Sequence, residues 1–260
     1  MWATCDMNAA KMALCRRMYS KFLPLFGLTA AKFSTNQDFI FETNHNRSKL
    51  VCASQGAAGL GMLTDHGYKL HGWSREDYES MHNHGRSSLL YEFRNFMVAN
   101  IGQDVKKLAS DEPFTITFAA STSRASSRSH GFGPQILAIR EAFGSRVIVQ
   151  KVDFASKPLQ EQVRIASESA IYITACGGGA VTAMFLAHGS SVVLYFVEDG
   201  GREDNRAMGG PAMLDWDIFN NMAWIRSHWL PTRTMDKDTD IDILVKLVAH
   251  ELDIISHQLL

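Results

Sequence analysis

Ala170-Ile-Tyr-Ile-Thr174, then Gly177-Gly-Gly179, then a return through His188-Gly-Ser190 into Ser191-Val-Val-Leu-Tyr-Phe196, is the stretch that decides the fold. Both apolar runs are short, rich in β-branched and aromatic side chains, and free of polar alternation, which is the pattern of strands buried on both faces. Between them Ala180 to Ala187 is helix-like. Working back from this unit, Arg146-Val-Ile-Val-Gln-Lys-Val152 and Phe114-Thr-Ile-Thr-Phe-Ala119 are two further strands. Pro134 sits where a first helical turn tolerates it, and Ile136, Leu137, Ile139, Ala142 and Phe143 continue as helix to a stop at Gly144. Pro158 opens a second helix with Leu159, Val163, Ile165 and Ala166 as its apolar positions. A last amphipathic helix runs from about Thr239 to Leu259, with Leu244, Leu247, Val248, Leu252, Ile255 and Leu259 on one side. Strand and helix alternate with short connections, which predicts an α/β, doubly wound parallel Rossmann-like sheet with right-handed crossovers.

Working outward, the chain has two textures. Residues 111–260 form the Rossmann-like domain. Residues 1–110 are irregular and rich in His, Asn and Gly, with a helical start over Met7–Leu23. The 260 residues carry 26 Lys+Arg against 27 Asp+Glu, and 46% are apolar. That balance excludes a disordered, collagen-like or coiled-coil chain and provides no global positive field for nucleic acid. No run reaches the ~18 apolar residues of a membrane-spanning helix. Phe22 to Ala31 follows a basic stretch and so imitates a signal or transit peptide as well as a helix of the fold. Cys5, Cys15, Cys52 and Cys176 form no CxxC pair or disulfide framework, and Asn46-Arg47-Ser48 is a glycosylation sequon. His82-Asn83-His84 could present two imidazoles to a metal, but no third ligand stands at a recognisable spacing, and a surface pair has the same pattern. Gly56-Ala-Ala-Gly59-Leu-Gly61 has the wrong glycine order for a dinucleotide fingerprint.

In an open parallel sheet, ligands bind beyond the carboxyl ends of the strands, so the loops there carry the chemistry. The first reads Ser121-Thr-Ser-Arg124-Ala-Ser-Ser-Arg128-Ser-His130-Gly131. Guanidinium forks among hydroxyls suit phosphate oxygens, although a solvated Ser-rich loop has the same composition. The third, Cys176-Gly177-Gly178-Gly179-Ala180, lets backbone N–H groups face an anion at a helix start; a tight strand-to-helix turn would use the same glycines. Cys176 lies where a thiolate is favoured, yet no base is identifiable for it. The fourth loop is acidic, from Glu198 to Asp204, and leads to Asp215, Trp216, Asp217, His228 and Trp229. Two carboxylates and two indoles there could hold a sugar or a base ring; capping and packing are the alternatives.

Read together, these residues resemble glycosyltransferase family 61, whose members are two-lobed GT-B enzymes. Pro158 to Ser190 carries the resemblance. The family has a Glu-Gln helix (Glu161-Gln162 here), a strand, a His-Gly-Ala-Gly loop (Cys176 to Gly179 here), a Phe six residues further on (Phe185) and a Gly-Ser turn (Gly189-Ser190). Ser123-Arg124 with Arg128 is similar to its arginine-bearing loop, and Cys52 to Gly61 and Phe93-Arg94-Asn-Phe96 resemble the segments leading into the donor lobe. Cys176 stands where the family has His, and Gly178 where it has Ala. The tryptophan- and histidine-bearing segments of the acceptor lobe are not found, so the expectation is a GT-B donor lobe behind an incomplete N-terminal lobe.

The resemblance implies transfer of a sugar, with inversion, from a nucleotide diphosphate sugar to a hydroxyl of a glycan or glycoprotein. The donor it points to is a uridine diphosphate sugar, with no further cofactor and no metal. Arg124, Arg128 and the amides of Gly177, Gly178, Gly179 and Ala180 would stabilise the leaving diphosphate, with Cys176 beside them, and Glu161 and Gln162 would orient the donor. Asp65, His66 and Asp215 are the candidates for the general base. The Golgi or reticulum lumen is the location it implies for a eukaryotic chain. Cys176 in place of His also fits a non-catalytic nucleotide-sugar-binding protein. An unrelated doubly wound domain, such as a reductase, shares the fold pattern but lacks a glycine fingerprint.

Overall fold

The computed structural model describes residues 20–27, 87–103, 108, 112–121, 131–176, 179–197, 218–219, 221–232 and 239–257. The chain divides into compact units 1–61 and 62–260. The boundary expected near residue 110 therefore falls inside the second unit.

Little of the first unit is described. Its 3-10 helix Leu23–Phe26 buries Leu23 and Leu25 and ends at Gly27, whose φ of 67° lets its N–H turn back to the carbonyls of Leu23 and Pro24. Only the last residues of the helix expected over Met7–Leu23 lie within the described set.

In the second unit the elements run α1 (Ser87–Asn100), β1 (Phe114–Ser121), α2 (Gly133–Phe143), β2 (Val147–Asp153), α3 (Leu159–Ser167), β3 (Ile171–Ala175), a 3-10 helix (Ala180–Phe185), β4 (Ser191–Val197), β5 (Arg226–Thr232) and α4 (Thr239–His257). The strands form one five-stranded sheet in the order β2-β1-β3-β4-β5, and each neighbouring pair is parallel. This is the doubly wound α/β architecture read from the sequence. The winding has a simple cause. From β1 to β2 the chain steps one way across the sheet; every later crossover steps the other way. Keeping one hand for all crossovers then demands opposite faces for their helices.

The burial obeys that demand. On one face Phe114, Ile116 and Phe118 of β1, Ile171 and Ile173 of β3, and Val193 and Tyr195 of β4 pack with Ile136 and Ile139 of α2 and with Leu244, Val248, Leu252 and Ile255 of α4. On the other face Tyr172 meets Phe154 edge-on at 5.6 Å, and burial beneath α3 and the 3-10 helix pushes its hydroxyl up. A hydrogen-bond relay crosses that face. The Gln150 amide donates to Thr117 Oγ1 (2.8 Å), Thr117 lies 2.6 Å from Ser169 Oγ, and Ser169 donates to the Ile165 carbonyl (2.7 Å). Because Ser169 spends its proton on Ile165, Thr117 must donate to Ser169. Both hydroxyls of the relay are thereby paired, which is what makes polar residues tolerable there.

Three elements differ from the sequence expectation. Residues 180–185 form a 3-10 helix, not an α-helix. The chain must return from the carboxyl edge of β3 to the amino edge of β4 in few residues, and 3-10 geometry rises ~2.0 Å per residue against ~1.5 Å for the α form. Helix α1 lies in a region expected to be irregular. Its buried face is Leu90, Arg94, Met97 and Val98, at helical spacing. Strand β5 lies where a ligand-edge loop was expected, and carries His228 and Trp229. Trp229 packs edge-on against Phe196 and Phe219, at 6.4 and 6.1 Å.

Two buried charges fasten the amino edge of the sheet. Arg94, fully buried, donates from Nη2 to the carbonyls of Phe185 (3.1 Å) and Leu186 (2.9 Å), closing the exposed end of the 3-10 helix. It also lies over the Tyr91 ring at 5.4 Å, and burial pulls its guanidinium pKa down. Glu251 of α4, also fully buried, receives Arg226 Nε and His228 Nε2 at 2.7 Å each, and the hydroxyl of Ser191. Since an ionised carboxylate only accepts, His228 must carry its proton on Nε2. Burial alone would push the Glu251 carboxyl up, but the bonds from His228, Ser191 and Arg226 and the guanidinium charge outweigh it and hold it at about 2. A depressed carboxyl stabilises the fold above its unfolded value of 4.5 and loses that contribution as pH falls toward 2. The displacement corresponds to about 3 kcal/mol. Glu251→Gln is expected to destabilise the protein by that order at pH 7, with the difference from wild type shrinking as pH is lowered from 4.5 to 2 in urea titrations. A pH-independent difference would contradict the assignment.

Candidate functional site

The strand order reverses between β1 and β3. The crossover from β1 leaves toward β2, and the chain reappears on the far side of β1 at β3. At such a point the two crossovers lead away in opposite directions, and doubly wound sheets hold ligands there.

Here the strands themselves part. The β1–β3 ladder ends at Phe118↔Ile173. Yet β1 continues beside β2 to Ser121↔Asp153, and β3 continues beside β4 to Ala175↔Tyr195. The Cys176 N–H extends that second ladder by donating to the Tyr195 carbonyl at 2.8 Å. So Ala119 to Ser121 follow one neighbour and Thr174 to Cys176 the other, and the sheet opens between them. A register shift between Ala119 and Ser121 marks an extra residue in β1 at the same level. Bulges of this kind bend a strand and re-aim the chain beyond it. The residues on either side of the opening, Ala119, Ala120, Ala175 and Cys176, are small.

The described members of the expected donor set all belong to this edge. Glu161 and Gln162 lie in the first turn of α3, which starts beyond the end of β2. Cys176, half-buried, directly follows β3; Gly179 precedes and the fully buried Ala180 opens the 3-10 helix. The segments holding Arg124 and Arg128, and Gly177 and Gly178, leave from the adjacent parallel strands β1 and β3, while those four residues lie outside the described set. Asp65, His66 and Asp215 also lie outside it, as do His82, His84 and Trp216.

Local chemistry assigns work to two of these residues. Gln162 is buried, and both protons of its amide go to backbone carbonyls: Nε2 donates to Phe154 at 2.9 Å and Lys157 at 2.8 Å. It thereby holds the β2–α3 connection in shape, leaving only its carbonyl oxygen for another partner. Glu161 receives Lys157 Nζ at 2.9 Å, a half-exposed pair at i, i+4. Asp153, which no spacing singled out, closes β2 on the same edge and accepts the Ala155 N–H at 3.1 Å. By contrast His228 faces Glu251 and lies toward the opposite edge, since its strand partner is Val193 near the start of β4.

Among the described residues, no group of three His, Cys, Asp or Glu could hold a metal ion. No described helix is long and apolar enough to cross a membrane. No protein-family model matches the sequence, and no curated protein matches it. Among solved structures, the chain is similar to the flavodoxin-like domain of a Synechococcus sp protein, with a TM-score of 0.31 and 15% sequence identity over 56% of this chain and 97% of that one.

Replacing Gln162 with Leu takes the amide donor from the part-buried Lys157 carbonyl and leaves the Phe154 carbonyl with only the Lys157 N–H at 3.3 Å. The expected cost is about 1–2 kcal/mol, read as a lower urea midpoint with an unchanged m-value. A neutral effect would mean that the β2–α3 connection does not depend on this amide.

Proposed function

We propose that the chain is a glycosyltransferase of the GT-B type that moves a sugar from a nucleotide diphosphate sugar to a hydroxyl of a glycan or glycoprotein. The observation that carries this reading is the opening between β1 and β3. The two strands that part there are the ones that lead into the arginine-bearing and triple-glycine segments, and a diphosphate needs cations and backbone N–H groups together. The resemblance of residues 158–190 to glycosyltransferase family 61 supports the identity of the donor.

In this reading Arg124, Arg128 and the amides of Gly177 to Ala180 bind the diphosphate. The acceptor oxygen attacks the anomeric carbon from the side opposite the leaving group. The new carbon–oxygen bond forms as the bond to the diphosphate breaks, the electron pair leaves with the diphosphate, and a base takes the acceptor proton. Asp65, His66 and Asp215 are the candidates for that base. Glu161, with the oxygen left to Gln162, orients the donor. Cys176 in the position of the family's His favours a second reading, a protein that binds the nucleotide sugar and does not transfer it.

Calorimetry with uridine and guanosine diphosphate sugars tests the first step. Binding is expected, and Arg124→Ala should weaken it by roughly tenfold or more, the worth of a charge-assisted contact. Absence of binding to every nucleotide sugar would overturn both readings. Release of free nucleoside diphosphate on adding acceptor supports transfer; binding with no turnover across a broad acceptor panel supports the second reading.

A further inference from the structure

We infer that Gly131 and Phe132 form a two-state aromatic latch on one side of the opening between β1 and β3. In the observed state the ring of Phe132 is seated in the sheet's core. In the other state the left-handed turn passes to Gly131 and the ring leaves its seat. The latch is independent of which ligand the opening takes, and so of the donor reading above.

Phe132 has φ 48° and ψ 18°, and among the described residues it is the only one other than glycine with a positive φ. A bulky L-residue is out of place in that region, because its Cβ crowds its own backbone. Glycine adopts the same φ without that cost, and a glycine stands directly before it. Yet Gly131 itself lies outside the left-handed region, and a Cβ added to it would meet nothing within 4 Å. Nothing in the observed state calls for a glycine there. Gly133, on the other side, has its own reason: it is helical and precedes Pro134, whose ring crowds a Cβ at that position. Torsion and residue type are thus mismatched by one position, and moving the positive φ from Phe132 to Gly131 corrects the mismatch.

The ring is what holds the strained state. Phe132 is buried, with its ring 5.5 Å from that of Phe118 and 5.6 Å from that of Tyr195, tilted to both. Phe118 is the last residue of the β1–β3 ladder, and Tyr195 pairs with Ala175 beyond it. The ring therefore reaches from β1 to β4 across β3, at the level where the sheet parts, on the face covered by α2 and α4. The Phe132 carbonyl accepts the Ile136 N–H at 2.9 Å, so a change in its backbone reaches the first turn of α2. Burial of the ring favours one arrangement and the backbone favours the other, which is how a strained residue comes to work as a bistable element. With the ring seated, the opening is closed on the α2 side. With the ring out, the seat between Phe118 and Tyr195 joins the opening.

The test is relaxation-dispersion NMR on the full chain, carrying 13C at the phenylalanine ζ-carbon, which a ring flip leaves unmoved. Wild type is expected to show microsecond-to-millisecond exchange at Phe132 and at Phe118 beside it. Gly131→Ala penalises only the ring-out state, so the exchange contribution should fall roughly tenfold. Its urea midpoint should stay level or rise, because Ala fits the ring-seated backbone and has less unfolded freedom to lose. Absence of exchange in wild type means there is no second state, and exchange undiminished in Gly131→Ala means the pivot is not Gly131. A lowered midpoint for Gly131→Ala means that the glycine is needed with the ring seated. Each of these three results overturns the latch.

Discussion

One strand, β1, constrains the whole second unit. It is the first strand in chain order, yet it ends inside the sheet with β2 on one side and β3 on the other. A chain that adds strands on both sides of its first, with crossovers of one hand, must put helices on both faces and must leave an uncovered gap where the direction changes. The apolar β1, its burial beneath α2 and α4, and the parting of the ladder above Phe118 are consequences of that one arrangement.

The two edges of the sheet are built differently. Toward the amino ends, Glu251 and Arg94 are both fully buried, and each is paired differently. Glu251 is paired with the Arg226 guanidinium and accepts further hydrogen bonds from the His228 ring and the Ser191 hydroxyl. Arg94 instead meets main-chain carbonyls and an aromatic face, with Asn95 Oδ1 accepting from Nη1 at 2.8 Å. Burying either group costs desolvation that its partners must offset. The carboxyl edge holds looser, half-exposed pairs such as Lys157–Glu161.

The strands β1 to β4 and the helices α2, α3 and α4 were legible because their residues obey a single period and their punctuation is conventional: Pro134 and Pro158 at helix starts, Gly144 at a stop. Helix α1 was not, because its signals conflict. A charged residue, Arg94, sits in its buried stripe, while Leu89, Phe93 and Phe96 lie exposed on the opposite side. Strand β5 hid for a related reason. Arg226 and His228 face the core side of the sheet, and only Glu251, far along the chain in α4, makes them acceptable there. Pro231 further weakens its pattern, though an edge strand tolerates the missing N–H. For the site, composition located the two loops after β1 and β3, but adjacency of those strands is a property of the sheet order. Gln162 illustrates the remaining gap: its residue type invites a ligand, whereas its amide protons are taken by its own connection.

Helix α1 precedes the first strand, yet it is bolted to the sheet unit at three places: through Arg94 to the carbonyls of Phe185 and Leu186, through Ser87, whose Oγ accepts the Ala223 N–H at 3.0 Å, and through Tyr91 against the Trp224 ring at 5.2 Å. Excising the α/β portion at the start of β1 would strip the end caps from the 3-10 helix and bare the indole ahead of β5. The sheet unit accordingly includes α1, and the division between the two compact units, at residues 61 and 62, lies well ahead of β1.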